Sequence, residues 1–412
     1  MIFFQYIVVL DLRRRQQLIV FLLTAAAVAG PSVSVSAANN NINTKSMNLN
    51  NPFRPLSTKT KSAVSAIEDI ITKDEGGRGM ASLVVPGDLE EAAMIFARLK
   101  RNDNIRPRVL ILSGFPCCVD HNPPTETDGP PGAVAIARAA VLMGYKATIV
   151  TDECNEEVFT AACADKKSWA TTCGSIHIDN LVLKCFPSED KMSNNDYADL
   201  NSLADDCDLV IACERAGPGK DGKCYTMRGI DMTSAGLIAP LHLIVDRIRV
   251  ARTNASTTDS SRNIIPFLAI GDGGNELGMG KVLDAILSNP MISNAKQIAA
   301  VGIADHLIAA SVSNWGAYAL VGATACIRIN DISNDLPLSS RSGLMVDARQ
   351  FLPSSAAEEA LLERCVAVGC RDGVSGLMEV TVDGMPLETS LACLEAIRVE
   401  VEAVGFEAAA NK

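Results

Sequence analysis

A chain of 412 residues that is 48% hydrophobic but only 4% aromatic can bury one large core or two modest ones, and its wealth of Ala, Val, Ile and Leu suits helices packed on a buried sheet. Its 37 basic and 48 acidic residues give a formal charge of −11 and a pI near 5.0. That excludes the basic footprint of a nucleic-acid binder and gives no reason for attraction to an anionic membrane, so the expected partner is a small molecule.

The N-terminus reads as a targeting leader over residues 1–37. Arg13, Arg14 and Arg15 precede the apolar run Leu18 to Gly30, too short for an ordinary membrane span, and small residues at Ser34 to Ala38 resemble a cleavage site. An Arg-rich, nearly acid-free leader points to a mitochondrion or another organelle, with the secretory pathway as the alternative. The Asn-rich stretch 38–60 lacks hydrophobic periodicity and is expected to be a disordered linker. One α/β domain is then expected over 61–412.

Within it, apolar runs alternate with helical patterns. Arg108 to Phe115 reads as a strand, Gly132 to Gly144 as a helix and Lys146 to Glu153 as the next strand. The rhythm continues through strand Leu181 to Phe186, a helix near Tyr197 to Asp206, strand Asp208 to Glu214, a helix around Leu237 to Val250 and strand Ile264 to Ile270. Ala304 to Leu320 is expected to add a sixth strand ending in Ser311, Ser313, Asn314 and Trp315. Crossovers of this kind imply a mostly parallel sheet with helices on both faces, a three-layer, Rossmann-like α/β fold. Helix Ala356 to Val368 and the turn-rich Arg371 to Pro386 are expected to pack on the same domain.

Thirteen cysteines are an odd number without a CxxC spacing, several inside apolar runs, and read as reduced core thiols. The four histidines are far apart, so no structural metal site is expected. A parallel sheet binds ligands beyond the carboxyl ends of its strands, and here those ends are loaded with polar residues. After the first strand, Glu126, Thr127 and Asp128 sit among prolines, with Gly132 opening a helix whose N–H groups suit an anion; Asp128 is a candidate general base, or else a helix cap. Cys117 and Cys118 occupy a place where a nucleophile would sit, with His121 nearby. Asp152 and Glu153 follow the second strand. After the fourth, Glu214, Arg215 and Arg228 lie in a glycine-rich loop suited to a lid, the arginines able to grip a carboxylate.

The segment after the fifth strand, GDGGNELGMGK from Gly271 to Lys281, packs five glycines around Asp272, Asn275 and Glu276. It fits neither GxxxxGK[ST] nor GxGxxG. Its likeness to the magnesium-holding GDGxND segment of haloacid-dehalogenase-type phosphatases is not supported by any DxDx[TV] strand. It reads as an anion- or metal-binding loop.

Taken in order, Leu112 to Pro116, Glu126 to Ala133, Ile149 to Glu153, Cys213 to Thr233, Ile270 to Val282 and Ser311 to Leu320 resemble the C-terminal-type domain of the D-glutamate cyclase family, over about Val84 to Pro386. The resemblance implies conversion of D-glutamate to 5-oxo-D-proline and water without a nucleotide, and a mitochondrial setting in animal members. Animal members carry an additional N-terminal domain resembling a hydro-lyase, for which this chain leaves no room; if that domain supplies catalysis, another substrate is expected. Lactam formation needs acid and base groups and an anion pocket. Against that reaction, Asp128 or Glu214 is assigned as base and Asp272 or Glu276 as proton donor to departing water. Arg215 and Arg228 are assigned as carboxylate binders and Gly273, Gly274 and Asn275 as an oxyanion nest, with Glu126, Thr127 and Asn314 as further substrate contacts.

No cofactor or metal is expected for this reading, no nucleic acid or membrane partner for the mature form, and a homo-oligomer stays open. Two other classes compete. A magnesium-dependent enzyme on a phosphorylated or carboxylated metabolite would use Asp152, Asp272 and Glu276 as ligands. A non-catalytic amino-acid-binding protein would hold D-glutamate or 5-oxoproline unchanged.

Overall fold

The computed structural model describes residues 55–101, 105–165, 180–258, 264–335 and 350–410, all within one compact unit, Asn48–Lys412. The leader and most of the linker expected from sequence lie outside the described residues. Helix α1, Thr58–Ile71, begins inside the stretch read as linker; the Ser57 hydroxyl accepts from the Thr60 N–H, and Ala63, Val64, Ile67 and Ile71 are buried. Helix α2, Asp88–Ala97, follows.

The sheet comprises β1 Arg108–Gly114, β2 Lys146–Asp152, β3 Leu181–Phe186, β4 Leu209–Arg215, β5 Phe267–Gly271 and β6 His306–Ala309. Every pairing is parallel, and the strand order is 3-2-1-4-5-6, reversing between β1 and β4. Such a switch point leaves a crevice beyond the strand ends. Alternation along the strands explains the two cores. Val109, Ile111, Ile211, Leu268 and Ile270 join one apolar cluster, while Leu110, Leu112, Val210, Phe267 and Ala269 join the other.

The first cluster is covered by α1, α2, α3 (Pro130–Leu142), α4 (Glu156–Ala162), and the later helices α9 (Ser313–Asp335), α10 (Ser355–Ala367) and α11 (Leu387–Ala410). The second packs under α5 (Asn194–Asp206), α6 (His242–Thr258), α7 (Leu283–Ser288) and α8 (Ala295–Ile298). No described helix is long and apolar enough to cross a membrane.

Two boundaries differ from the sequence reading in ways that matter for the site. Helix α3 opens at Pro130, not Gly132, because proline is tolerated in a helix's first turn, where no N–H partner is needed. Ser313, Asn314 and Trp315 do not end the sixth strand: β6 stops at Ala309, and these residues open α9. The apolar run from Ala304 onward is a four-residue strand followed by a buried helix, a distinction that periodicity does not draw in short apolar stretches.

Candidate active site

The carboxyl ends of β1, β4 and β5 meet at a cavity of about 340 Å³, whose wall includes Arg78, Glu126, Glu214, Asp272, Asn275 and Asp383. Glu214 owes its place to an irregularity in β4. Ser113 pairs with Cys213 but Gly114 pairs with Arg215, so Glu214 is an extra residue, and its backbone is left-handed at φ 43°. A bulge re-aims side chains; here Glu214 faces the cavity and Arg215 the interior. Left-handed backbone costs a non-glycine residue about 1–3 kcal/mol and persists only where surrounding structure enforces it. Gly129, at φ 103°, makes room: a Cβ there would lie 3.0 Å from that of Glu214.

Glu214, Asp128 and Asp272 each bring a carboxylate oxygen within 4.8 Å of the other two. Three buried carboxylates that close do not all ionise. Burial, with the charges of Glu276, Asp128 and Glu126, holds Glu214 well above the usual carboxylate range. Burial also holds Asp272 up against the opposing pull of Arg78, and Asp128 is pushed up to about 7 by burial and the Asp383 charge. All three carboxyls are thus shifted toward their protonated forms.

Asp128 stands behind Glu214 and caps a helix, though not the one beside it in sequence. Its oxygens accept from the Ser313 and Asn314 N–H groups at 2.8 Å each, at the start of α9, and from Gly129 at 3.0 Å. Asn314 returns the arrangement. Its Oδ1 accepts from Gly129 and Gly132 at the start of α3, at 3.0 and 2.8 Å, and its Nδ2 donates to the Thr127 carbonyl. The two helix starts are thus tied to each other.

Arg78 is the residue that sequence reasoning missed. It lies on a glycine-rich loop after α1, where Asp74 accepts from the Arg78 and Gly79 N–H groups at 2.8 and 2.9 Å. Its guanidinium meets Asp272 at 2.6 Å and Asp383 at 3.2 Å. Only the GGRG spacing, Gly76 to Gly79, hinted at a functional turn. Asp383, also missed, sits in a turn at φ 55°. Glu126 completes the acidic wall; burial and the Asp383 and Asp128 charges push its carboxyl well up. A Cβ at Gly373 would overlap Glu126 Oε2, so glycine is required there for the carboxyl to fit.

A model of the family described as "D-glutamate cyclase-like, C-terminal" matches residues 67–398. The chain belongs to the D-glutamate cyclase-like family. It is 29% identical over 350 residues to human "D-glutamate cyclase, mitochondrial". The match covers 82% of this chain and 51% of the human protein, so the chain spans about half the length of that relative.

Within this D-glutamate cyclase-like site, several expected substrate contacts are structural instead. The oxyanion nest is filled by the chain itself: Glu276 Oε1 accepts from the Asp272 and Gly273 N–H groups at 3.2 and 2.7 Å, and Oε2 from Gly274 at 2.7 Å. Gly273 and Gly274 thus have no N–H to offer an oxyanion, and Glu276 stiffens the loop rather than donating a proton. Arg215 is buried in an ion pair with Asp152, and its Nη1 and Nη2 also donate to the Gly114 and Ala239 carbonyls at 3.4 and 2.8 Å. It is absent from the residues lining the cavity. Thr127 donates its hydroxyl to the Thr381 carbonyl at 2.8 Å, and the Asn314 side chain is taken up by the helix ties.

Arg228 does reach the cavity mouth, where Nη2 donates to the Val374 carbonyl at 2.6 Å. Cys117 lies on the wall with its Sγ 3.9 Å from that of Cys118. The Cys118 contact and burial push the Cys117 thiol well up, which argues against an activated nucleophile. The magnesium set expected from sequence is not assembled. Asp152 is held by Arg215, by the Ala239 N–H at 2.6 Å and by Asn155 at 3.0 Å, while Glu276 is occupied by the nest. The oxygens placed to hold a cation are those of Asp128, Glu214 and Asp272.

A buried ion pair that loses one member is expected to destabilise the fold by about 3–5 kcal/mol. Arg215→Met should therefore show that loss in urea unfolding, with KM unchanged in the folded fraction. A stable variant with a raised KM would return Arg215 to the substrate.

Proposed function

We propose that the protein is a D-glutamate cyclase, a lyase that closes D-glutamate to 5-oxo-D-proline and releases water, acting in the mitochondrion. The observation that carries this reading is a trio of close, buried carboxyls around Glu214, beside a cation, Arg78, in a cavity of small-molecule size. Ring closure moves two protons from the substrate's ammonium to the departing γ-oxygen. That calls for a group to take protons near the amine and one to give them near the γ-carboxyl.

Glu214 forms no ion pair among the described residues and its burial favours the protonated form, so it serves as the acid toward the γ-oxygen. Asp272, salt-bridged to Arg78 on the cavity wall, serves as the base. Asp128 positions this pair from behind. Arg78 and Arg228 are the arginines on the cavity wall, suited to the two substrate carboxylates. The reaction is intramolecular, so fixing the folded conformer and managing charge is what the protein must contribute.

The test is incubation of the purified full chain with D-glutamate, followed by mass spectrometry and chiral chromatography. Accumulation of 5-oxo-D-proline is expected; recovery of unchanged D-glutamate after long incubation would make the protein a binder. The Asp128, Glu214 and Asp272 oxygens favour one second reading, a divalent cation held by the trio. Loss of turnover with a chelator and its return with magnesium or manganese would select it over the metal-free route.

A further inference from the structure

Glu214 Oε2, Asp272 Oδ2 and Asn275 Oδ1 are buried acceptor atoms at the cavity without a hydrogen-bond donor among the described residues. The residues are 5%, 4% and 2% exposed, and all three lie on the cavity wall. A native fold rarely leaves buried acceptors unpaired, because each one forfeits its water without replacement; where it does, a ligand or ordered water is expected to supply the donor.

Asn275 gives the sharpest reading. Its Nδ2 donates to the Tyr225 carbonyl at 2.8 Å, so turning the amide over would set two oxygens against each other. The Gly217 N–H binds its backbone carbonyl at 2.9 Å, which pins the residue further. Oδ1 is therefore a fixed acceptor, and a neutral amide oxygen beside two carboxyl groups calls for a ligand with several donors and positive charge.

We propose that Asn275 Oδ1, Glu214 Oε2 and Asp272 Oδ2 form a primary-ammonium subsite, with Asn275 the residue that makes the site specific for an amine-bearing substrate. Three acceptors match the three N–H bonds of an alkylammonium. This deepens the cyclase reading and rests on it: the substrate's amine sits against Asp272, the base, and its γ-carboxyl is left to face Glu214 as the chain folds back. Dicarboxylates without an amine leave three acceptors unpaired and bind more weakly on that ground.

The experiment compares Asn275→Leu with the wild-type full chain. KM for D-glutamate is expected to rise about ten-fold or more, the cost of one hydrogen bond to a charged group. The inhibition constant of glutarate, which lacks the amine, should stay within about three-fold by the same reasoning. An equal loss for both ligands, or no loss for D-glutamate, would overturn the subsite, because a merely structural role does not distinguish them. If the wild-type protein does not turn over D-glutamate, the cyclase reading fails on its own, and the subsite is read with methylammonium. Titration should then shift the Asn275 side-chain amide resonances in the wild type. Absence of a shift, or displacement of methylammonium by manganese with broadening of those resonances, would assign the acceptors to something other than an ammonium.

Discussion

Glu214→Gln is expected to lower D-glutamate turnover by about 10²–10⁴-fold, the usual contribution of a positioned acid or base, while making the protein more stable above neutral pH. The first part follows from the bulge in β4, which places this one side chain against the cavity. Gln has the same size and asks the same of the backbone, so the geometry survives and the transferable proton does not. The second part follows from the carboxyl's raised position. In the unfolded chain Glu214 titrates near its ordinary 4.5, and in the folded protein well above it. Its stabilising protonated form is thus fully present below about pH 4.5 and is lost as pH rises through the folded value. Asp128, moved from 3.8 to about 7, acts in the same direction, so wild-type stability should decline from pH 4 toward pH 8. Gln is neutral throughout and escapes its share of that decline. Urea unfolding of both proteins from pH 4 to 9 measures this. Parallel curves would show that Glu214 is ionised in the fold, and near-normal turnover would remove it from the chemistry.

The sheet was legible because its signal is redundant. Each of β1, β2, β4 and β5 is a short apolar run ending in polar residues, and crossover helices separate the strands. Legibility stopped where one residue decides direction. Nothing in CERAG announces that Glu214 is bulged out of β4, so Glu214 and Arg215 looked equally placed to meet a ligand, although only the first lines the cavity. The glycines of GDGGNE read as a nest for a ligand's anion, yet the carboxyl seated there is that of Glu276, two residues beyond Gly274. A loop's own carboxylate competes for the nest at no cost in association entropy, and only coordinates reveal that it prevails. Likewise Asp128 caps α9, 185 residues away in sequence, a pairing that local capping rules do not reach. Arg78 escaped notice because it follows a helix rather than a strand, and a search limited to strand ends does not visit that loop.

The second large effect belongs to Arg78. Arg78→Met should destabilise the protein by about 3–5 kcal/mol near pH 8, since it leaves Asp272 and Asp383 buried without their cation, and should abolish measurable turnover. The loss is pH-dependent with a defined sign. Arg78 pulls the Asp272 proton off, against burial, so removing it moves Asp272 further up. The added penalty for ionising Asp272 is therefore greatest in alkaline solution and fades as acid supplies the missing proton. Arg78→Lys keeps a charge but not the two-pronged geometry that spans both acids, and is expected to recover part of the stability and little of the activity. The deciding comparison is Arg78→Met/Asp272→Asn. With the stranded charge neutralised, much of the lost stability should return, giving a favourable coupling energy in the double-mutant cycle, while turnover stays absent because both the base and the cation beside it are gone. If the double variant is as unstable as Arg78→Met alone, the arginine acts through packing of its stem rather than through Asp272. If Arg78→Met turns over D-glutamate at near the wild-type rate, the ion pair is scaffolding and the substrate's carboxylates are held elsewhere, with Arg228 at the mouth the next candidate.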